Sequence, residues 1–141
     1  MTGYYYFDPS ATVRLMVGDA SADAMAAFAQ GGLWFSCDLA RTEVVRAIAR
    51  RRPDDVPDAI TALHTMVLIS LTKDMYEMAG RLQPARLRSL DAIHVAAALS
   101  LGDDLTAFIT YDDRQAEAAR LNGLRVVSPG VNWPSDRRSP D

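Results

Sequence analysis

Tyr4-Tyr5-Tyr6-Phe7-Asp8-Pro9-Ser10 is the stretch that decides the fold. Four consecutive aromatic residues read as a short strand buried on both faces, the pattern of a parallel sheet. Pro9 keeps Asp8 extended, so the strand stops there. Ser10 to Val17 then reads as a helix, with Pro9 and Ser10 at its start. A strand, an acid at its end and a helix directly after it make the opening of an α/β unit.

The same grammar repeats outward from this stretch. Ala20 to Gln30 reads as an alanine-rich helix closed by Gly31-Gly32, and Leu33 to Ser36 as a second strand. Asp38 to Arg51 forms a long helix with Leu39, Val44, Val45 and Ile48 on its apolar face, stopped by Pro53. Asp54 to Met66 is a further helix, Val67 to Leu71 a third strand, and Thr72 to Leu82 a helix with Thr72 as N-cap. Ser89 to Leu101 is an almost wholly apolar helix with Ser89 as its cap. Leu105 to Thr110 is a fourth strand, Asp112 to Asn122 a helix, and Leu124 to Val127 a fifth strand. Strands alternating with helices predict an α/β fold: a mainly parallel central sheet of about five strands between two helical layers. The domain runs over residues 1–130. Residues 131–141, rich in proline, serine and charge, read as a flexible C-terminal tail.

Composition narrows the function classes. The chain has 141 residues, 49% hydrophobic and 23% charged, which suits one domain with its own core. A net charge of −3 argues against a general nucleic-acid coat protein, whose footprint is basic. One cysteine, Cys37, excludes an internal disulfide and a cysteine-based zinc site, and reads as a small buried residue. No apolar run is long enough to span a bilayer, and the N-terminus does not read as a signal peptide. A cytoplasmic protein with no membrane partner is expected. No glycine-rich phosphate loop is present, and neither histidine belongs to a recognisable triad.

Four acids stand where a strand ends or a helix begins: Asp8, Glu43, Asp91 and Asp112. In an open α/β sheet the carboxyl ends of the strands face one crevice, where ligands bind. Carboxylates converging there repel one another unless a proton or a hard cation such as Mg²⁺ neutralises them. Each acid also has a plainer reading. Asp8 can cap the helix that follows, Glu43 can pair with Arg46 one turn on, and Asp91 can favour its own helix N-terminus. Asp112 and Asp113 form a doublet of which either can cap the next helix. Ser10 and Thr110 are hydroxyls beside two of the acids, able to orient a carboxylate or a water. Arg86 and Arg88 precede the Asp91 helix and are placed to flank the crevice, whereas the arginines at 50–52 complement their helix C-terminus. His94, one turn after Asp91, has the chemistry of a ligand or base, but a lone helical histidine is more often structural, and His94 reads so.

Taken in order, Tyr6-Phe7-Asp8-Pro9-Ser10-Ala11, Leu39-Ala40-Arg41-Thr42-Glu43-Val44, Ser89-Leu90-Asp91-Ala92-Ile93-His94-Val95-Ala96, Phe108-Ile109-Thr110-Tyr111-Asp112 and Val126-Val127-Ser128-Pro129-Gly130 resemble a PIN domain of the VapC type, across nearly all of residues 4–130. The resemblance implies a PIN-like three-layer α/β/α sandwich and a Mg²⁺- or Mn²⁺-dependent endoribonuclease, the toxin of a bacterial toxin–antitoxin pair. It maps the family's acidic quartet onto Asp8, Glu43, Asp91 and Asp112, with Asp8 and Asp91 as the principal metal ligands. It also implies a homodimer, an RNA substrate and a cognate antitoxin that covers the acidic site. Pro9 departs from the pattern, since threonine or serine is frequent there, and the Asp112-Asp113 doublet blurs the fourth position. Two other readings compete: a binding module that keeps the fold without chemistry, and a phosphatase with Asp8 as nucleophile. The phosphatase reading lacks the second aspartate usual two positions on, where Ser10 stands.

Overall fold

The computed structural model describes residues 2–131. The expected tail, apart from Val131, lies outside the described residues. The elements run β1 (Tyr4–Phe7), α1 (Pro9–Val17), α2 (Ala20–Phe28), β2 (Leu33–Cys37), α3 (Ala40–Arg51), α4 (Val56–Leu63), β3 (Val67–Ile69), α5 (Lys73–Ala79), α6 (Ser89–Leu99), β4 (Leu105–Ile109), α7 (Asp113–Leu121) and β5 (Val126–Val127). The five strands form one sheet in the order β3-β2-β1-β4-β5, and every pairing is parallel. β1 is central, as its run of aromatics requires.

Period-two alternation splits the core between the two faces of the sheet. Phe7 and Ile109 point to one side, where they pack with Ala11 and Val13 of α1, Met25 of α2, Val44 and Ile48 of α3, and Ala59 and Leu63 of α4. Tyr6 and Phe108 point to the other, against Val95, Ala97 and Ala98 of α6 and Ala119 of α7. The Tyr6 and Phe108 rings stack at 5.3 Å between centroids. α5 closes this second layer by packing Ala79 on Ala92 and Ala96 of α6, where small residues let the helices approach. The result is the expected three-layer sandwich.

Several helix ends differ from the sequence reading. The helix expected from Asp54 begins as a 3₁₀ turn over Pro53–Asp55, and the α-helix starts at Val56. Pro57 accounts for this: without an N–H it fits only in a first helical turn. β5 is confined to Val126–Val127, two residues shorter than expected. α1 ends at Gly18, whose φ of 69° places it in the left-handed region that glycine enters most readily. Thr72 caps α5 as expected, accepting a hydrogen bond from the Met75 N–H.

The strand order places the function. From β1 the chain moves outward through β2 and β3, then returns to β4 on β1's other edge and continues to β5. The loops after β1 and β4 therefore leave in opposite directions. Between them opens the crevice at which α/β sheets bind ligands. Asp8 follows β1 and Thr110 follows β4, so the two residues flank that switch point.

Candidate active site

Asp8 is both a helix cap and a buried carboxylate. Its Oδ1 accepts the Ala11 N–H at 2.9 Å as the cap of α1, and the Ser10 hydroxyl at 2.7 Å. Its Oδ2 accepts the Thr110 hydroxyl from the neighbouring strand at 2.6 Å. The residue is only 2% exposed. Burial raises its pKa above the ordinary carboxylate range, against the opposing effect of the bonds from Ser10, Thr110 and Ala11. Pro9 at the first helical position lacks an N–H that would have gone unused, and Ser10 supplies the hydroxyl that Pro9 does not.

Thr110 joins two of the acids. While its hydroxyl donates to Asp8, the same oxygen accepts the Asp112 backbone N–H at 3.1 Å. Ser10 likewise accepts the Tyr111 N–H at 2.9 Å. The two hydroxyls thus bind both the carboxylate and the local backbone. Asp112 caps α7 through Oδ1, which accepts the N–H groups of Arg114 and Gln115. Asp113 is the first residue of the helix itself.

Asp91 occupies the third position of α6. The expectation that Ser89 caps this helix is corrected: Arg88 is the N-cap, makes no side-chain cap bond, and Ser89 is the first helical residue. Nor does Asp91 take the cap role, since among the described residues no protein donor bonds its carboxylate. Burial raises its pKa, and the neighbouring charges of Asp112 and Glu43 raise it further, opposed by His94 and Arg88. Gln115 ties the start of α6 to α7, donating from Nε2 to the Asp91 carbonyl at 3.3 Å.

Glu43 does not pair with Arg46. Its Oε1 lies 2.7 Å from Nε2 of His94 on α6. His94 is fully buried, with Nδ1 2.8 Å from the Tyr6 hydroxyl and 3.6 Å from Cys37 Sγ. Burial works against a charged ring here, but the hydrogen bonds and charges of Cys37 and Glu43 outweigh it and push the His94 pKa up to about 10. Burial alone would raise the Cys37 thiol, yet the contact with His94 lowers it. Sequence reasoning favours a structural role for His94 over one as ligand or base and does not foresee its bond to Glu43. The sequence clue is its position one turn after Asp91 on the same helix, and its partners are 51, 57 and 88 residues away.

All four predicted acids thus lie at one end of the sheet. Asp91 and Asp112 line a crevice of about 750 Å³ together with Asp113, Arg86, Arg88 and Arg114. Arg86 bridges to Glu117 of α7 at 2.9 Å. Glu43 stands behind His94, and Asp8 is held by Ser10 and Thr110. Among the described residues, no group of three or more histidine, cysteine, aspartate or glutamate side chains is arranged to hold a metal ion. The donor chemistry nonetheless suits Mg²⁺. The donors at the crevice are hard carboxylate oxygens, Asp91 lacks a protein donor, and its pKa is raised by burial first and then by the charges of Asp112 and Glu43, which a cation would offset. Mg²⁺ binds through one or two carboxylates, completing its shell with waters and phosphate.

A family model described as "PIN domain" matches residues 5–121 of the chain. Ribonuclease VapC46 of Mycobacterium tuberculosis is 38% identical over 125 residues, covering 88% of this chain and 96% of that protein. Ribonuclease VapC47 of the same species is 35% identical over 132 residues, covering 89% and 97%. Among solved structures, Mycobacterium tuberculosis VapC20, described as a Sarcin-Ricin loop cleaving toxin, superposes with a TM-score of 0.67 at 17% identity, over 89% of this chain and 99% of that one. That last likeness carries the fold. With the α/β/α architecture, the family match and relatives over nearly their full length, the chain belongs to the PIN domain family, among its VapC-type members.

Proposed function

We propose that this chain is a Mg²⁺- or Mn²⁺-dependent endoribonuclease and the toxin of a toxin–antitoxin pair, hydrolysing RNA phosphodiester bonds at Asp8, Glu43, Asp91 and Asp112. The observation that carries the reading is the state of Asp91. A carboxylate without a protein donor, raised by burial and by two neighbouring acids, opens on a crevice edged by Arg86, Arg88 and Arg114. Carboxylates among arginines suit a phosphate backbone approached through a cation. That the similar proteins are named ribonucleases supports RNA as the substrate.

Each residue has a part that follows from its surroundings. Asp91 and Asp112 present oxygens to the crevice and are the acids best placed to share a divalent cation with a phosphate. Glu43, held through one oxygen by His94, keeps the other to orient or deprotonate an attacking water. Asp8, fixed by Ser10 and Thr110, adds negative charge at the switch point and fixes the loop that carries Asp112. A bound divalent cation would supply charge neutralisation at the phosphate and a more acidic water. Arg86, Arg88 and Arg114 draw the RNA backbone to the acids, which would otherwise repel it.

The remaining parts of the proposal rest on the family. They are a homodimer, a cognate antitoxin whose chain covers the acidic crevice, and action in the cytoplasm on cellular RNA. No helix among the described residues is long and apolar enough to cross a membrane. One observation favours the silent binding module instead, namely that among the described residues no three acids stand ready for a metal. The phosphatase reading is poorly supported, because an attacking Asp8 needs access and this one is buried with both oxygens hydrogen-bonded.

The test is cleavage of a pool of structured and unstructured RNAs with Mg²⁺, Mn²⁺ or EDTA. The pool should include strands methylated at every 2′-hydroxyl. Hydrolysis by water does not use the 2′-hydroxyl, so metal-dependent cleavage of the methylated strands supports the proposal. Cleavage that persists in EDTA and needs the 2′-hydroxyl would contradict it.

A further inference from the structure

We propose that His94 is a positioning residue for Glu43, the middle of a buried chain that runs from Tyr6 through the imidazole to the carboxylate. The inference rests on the nuclease reading of the site. It starts from donor chemistry. A carboxylate only accepts, so His94 Nε2 carries the proton in the 2.7 Å bond to Glu43 Oε1. The other nitrogen, Nδ1, meets the Tyr6 hydroxyl at 2.8 Å, and Cys37 Sγ closes the same side at 3.6 Å. Whichever of the two donates, the bond between Nδ1 and the Tyr6 hydroxyl fixes the plane of the ring and so aims Nε2 at Glu43.

The chain ties together three elements that the site needs in register. Tyr6 lies on β1 two residues before Asp8, His94 lies on α6 one turn after Asp91, and Glu43 is in the first turn of α3. Glu43 is partly exposed, with 23% of its side chain open, and a glutamate so placed samples several rotamers unless held. Fixing Oε1 leaves Oε2 directed by the carboxylate's own geometry.

Stability alone does not call for this arrangement. His94 is completely buried, its ring edge-on to Tyr6 at 6.0 Å between centroids, where an apolar side chain of similar volume would avoid the desolvation of a polar ring. Its bonds lead outward to a predicted catalytic acid. Partners that orient a metal-site carboxylate in this way typically change metal affinity or activity by about 10–100-fold when removed.

The experiment uses the full chain and two readouts: Mn²⁺ affinity by calorimetry without RNA, and single-turnover RNA cleavage. Parent, His94→Leu, His94→Gln, Glu43→Ala and the Glu43→Ala/His94→Leu double variant are compared, each with its near-ultraviolet circular dichroism. His94→Leu is expected to weaken Mn²⁺ binding and slow cleavage by about tenfold, leaving RNA affinity in EDTA unchanged. His94→Gln keeps an N–H at the Nε2 position and recovers most of both. In the Glu43→Ala background, adding His94→Leu produces no further loss, because His94 acts through Glu43. Parent-level affinity and rate in His94→Leu would overturn the inference while leaving the nuclease reading intact. So would an equal loss in the Glu43→Ala background, which marks a general packing role. A parent chain that neither binds Mn²⁺ nor cuts RNA would overturn the functional reading and this inference with it. Should His94→Leu fail to fold, Tyr6→Phe and His94→Gln carry the test: parent-like values in Gln with reduced values in Phe support the chain, and parent-like values in both overturn it.

Discussion

Replacing Thr110 by valine removes one hydroxyl and keeps the shape of the side chain. The structure gives the consequence in parts. Asp8 Oδ2 loses its 2.6 Å donor while remaining buried, and the Asp112 N–H loses its 3.1 Å acceptor. A hydrogen bond to a charged group contributes about 1.5–3 kcal/mol, and a neutral one about 1 kcal/mol. The expected loss at neutral pH is therefore about 3 kcal/mol, or roughly 10 °C in Tm for a domain of this size. The pH dependence has a definite sign. Burial raises the folded-state pKa of Asp8 above the unfolded value of 3.8, so its contribution to stability is favourable below 3.8 and lost as pH rises through the folded pKa. Thr110 opposes that rise, and its hydroxyl's removal moves the folded pKa higher still. The deficit of Thr110→Val should thus grow from acid to neutral pH. Urea unfolding followed by circular dichroism between pH 4 and 8 in EDTA measures it, with Thr110→Ser as the control that keeps the hydroxyl. A Thr110→Val deficit below about 0.5 kcal/mol at pH 7, or one independent of pH, would refute the assignment of Thr110 as a donor that holds the Asp8 pKa down against burial.

Two further variants probe the crevice from its acidic and basic sides. Asp91→Asn should raise Tm in EDTA, because it removes a charge raised by burial, Asp112 and Glu43, and added Mn²⁺ should then stabilise the parent more than the variant; thermal melts with and without metal check both. Arg88→Glu should weaken RNA binding in EDTA and make log affinity fall less steeply with log salt, by about one in slope for each phosphate that the protein no longer neutralises, as read from filter binding over a salt series.

How much of this was legible in the sequence differs from residue to residue, for physical reasons. The aromatic run at Tyr4 to Phe7 specified a central strand because nothing but burial on both faces suits it. Proline and glycine marked the breaks, although Pro57 shifted one helix start by forcing a 3₁₀ turn before it. Asp8, Asp91 and Asp112 could be located because each sits at an element boundary, a local property. Glu43 was harder, since its one strong partner is not Arg46 on its own helix but His94, 51 residues away. His94 itself looked structural because an isolated histidine on an apolar helix carries no local sign of what it faces. Only the packing of α6 against β1 and the start of α3 reveals that it links Tyr6 to Glu43. The Ser89 cap failed for the opposite reason: residue preference suggested it, and backbone geometry assigned the cap to Arg88.

The most direct test of the central claim is RNA cleavage by parent and Asp91→Asn, purified side by side and assayed with Mg²⁺ and with EDTA. The account predicts cleavage by the parent in Mg²⁺ alone and none by the folded variant under either condition. Equal cleavage by both proteins would contradict it, since the activity would then not pass through the acid on which the site is built.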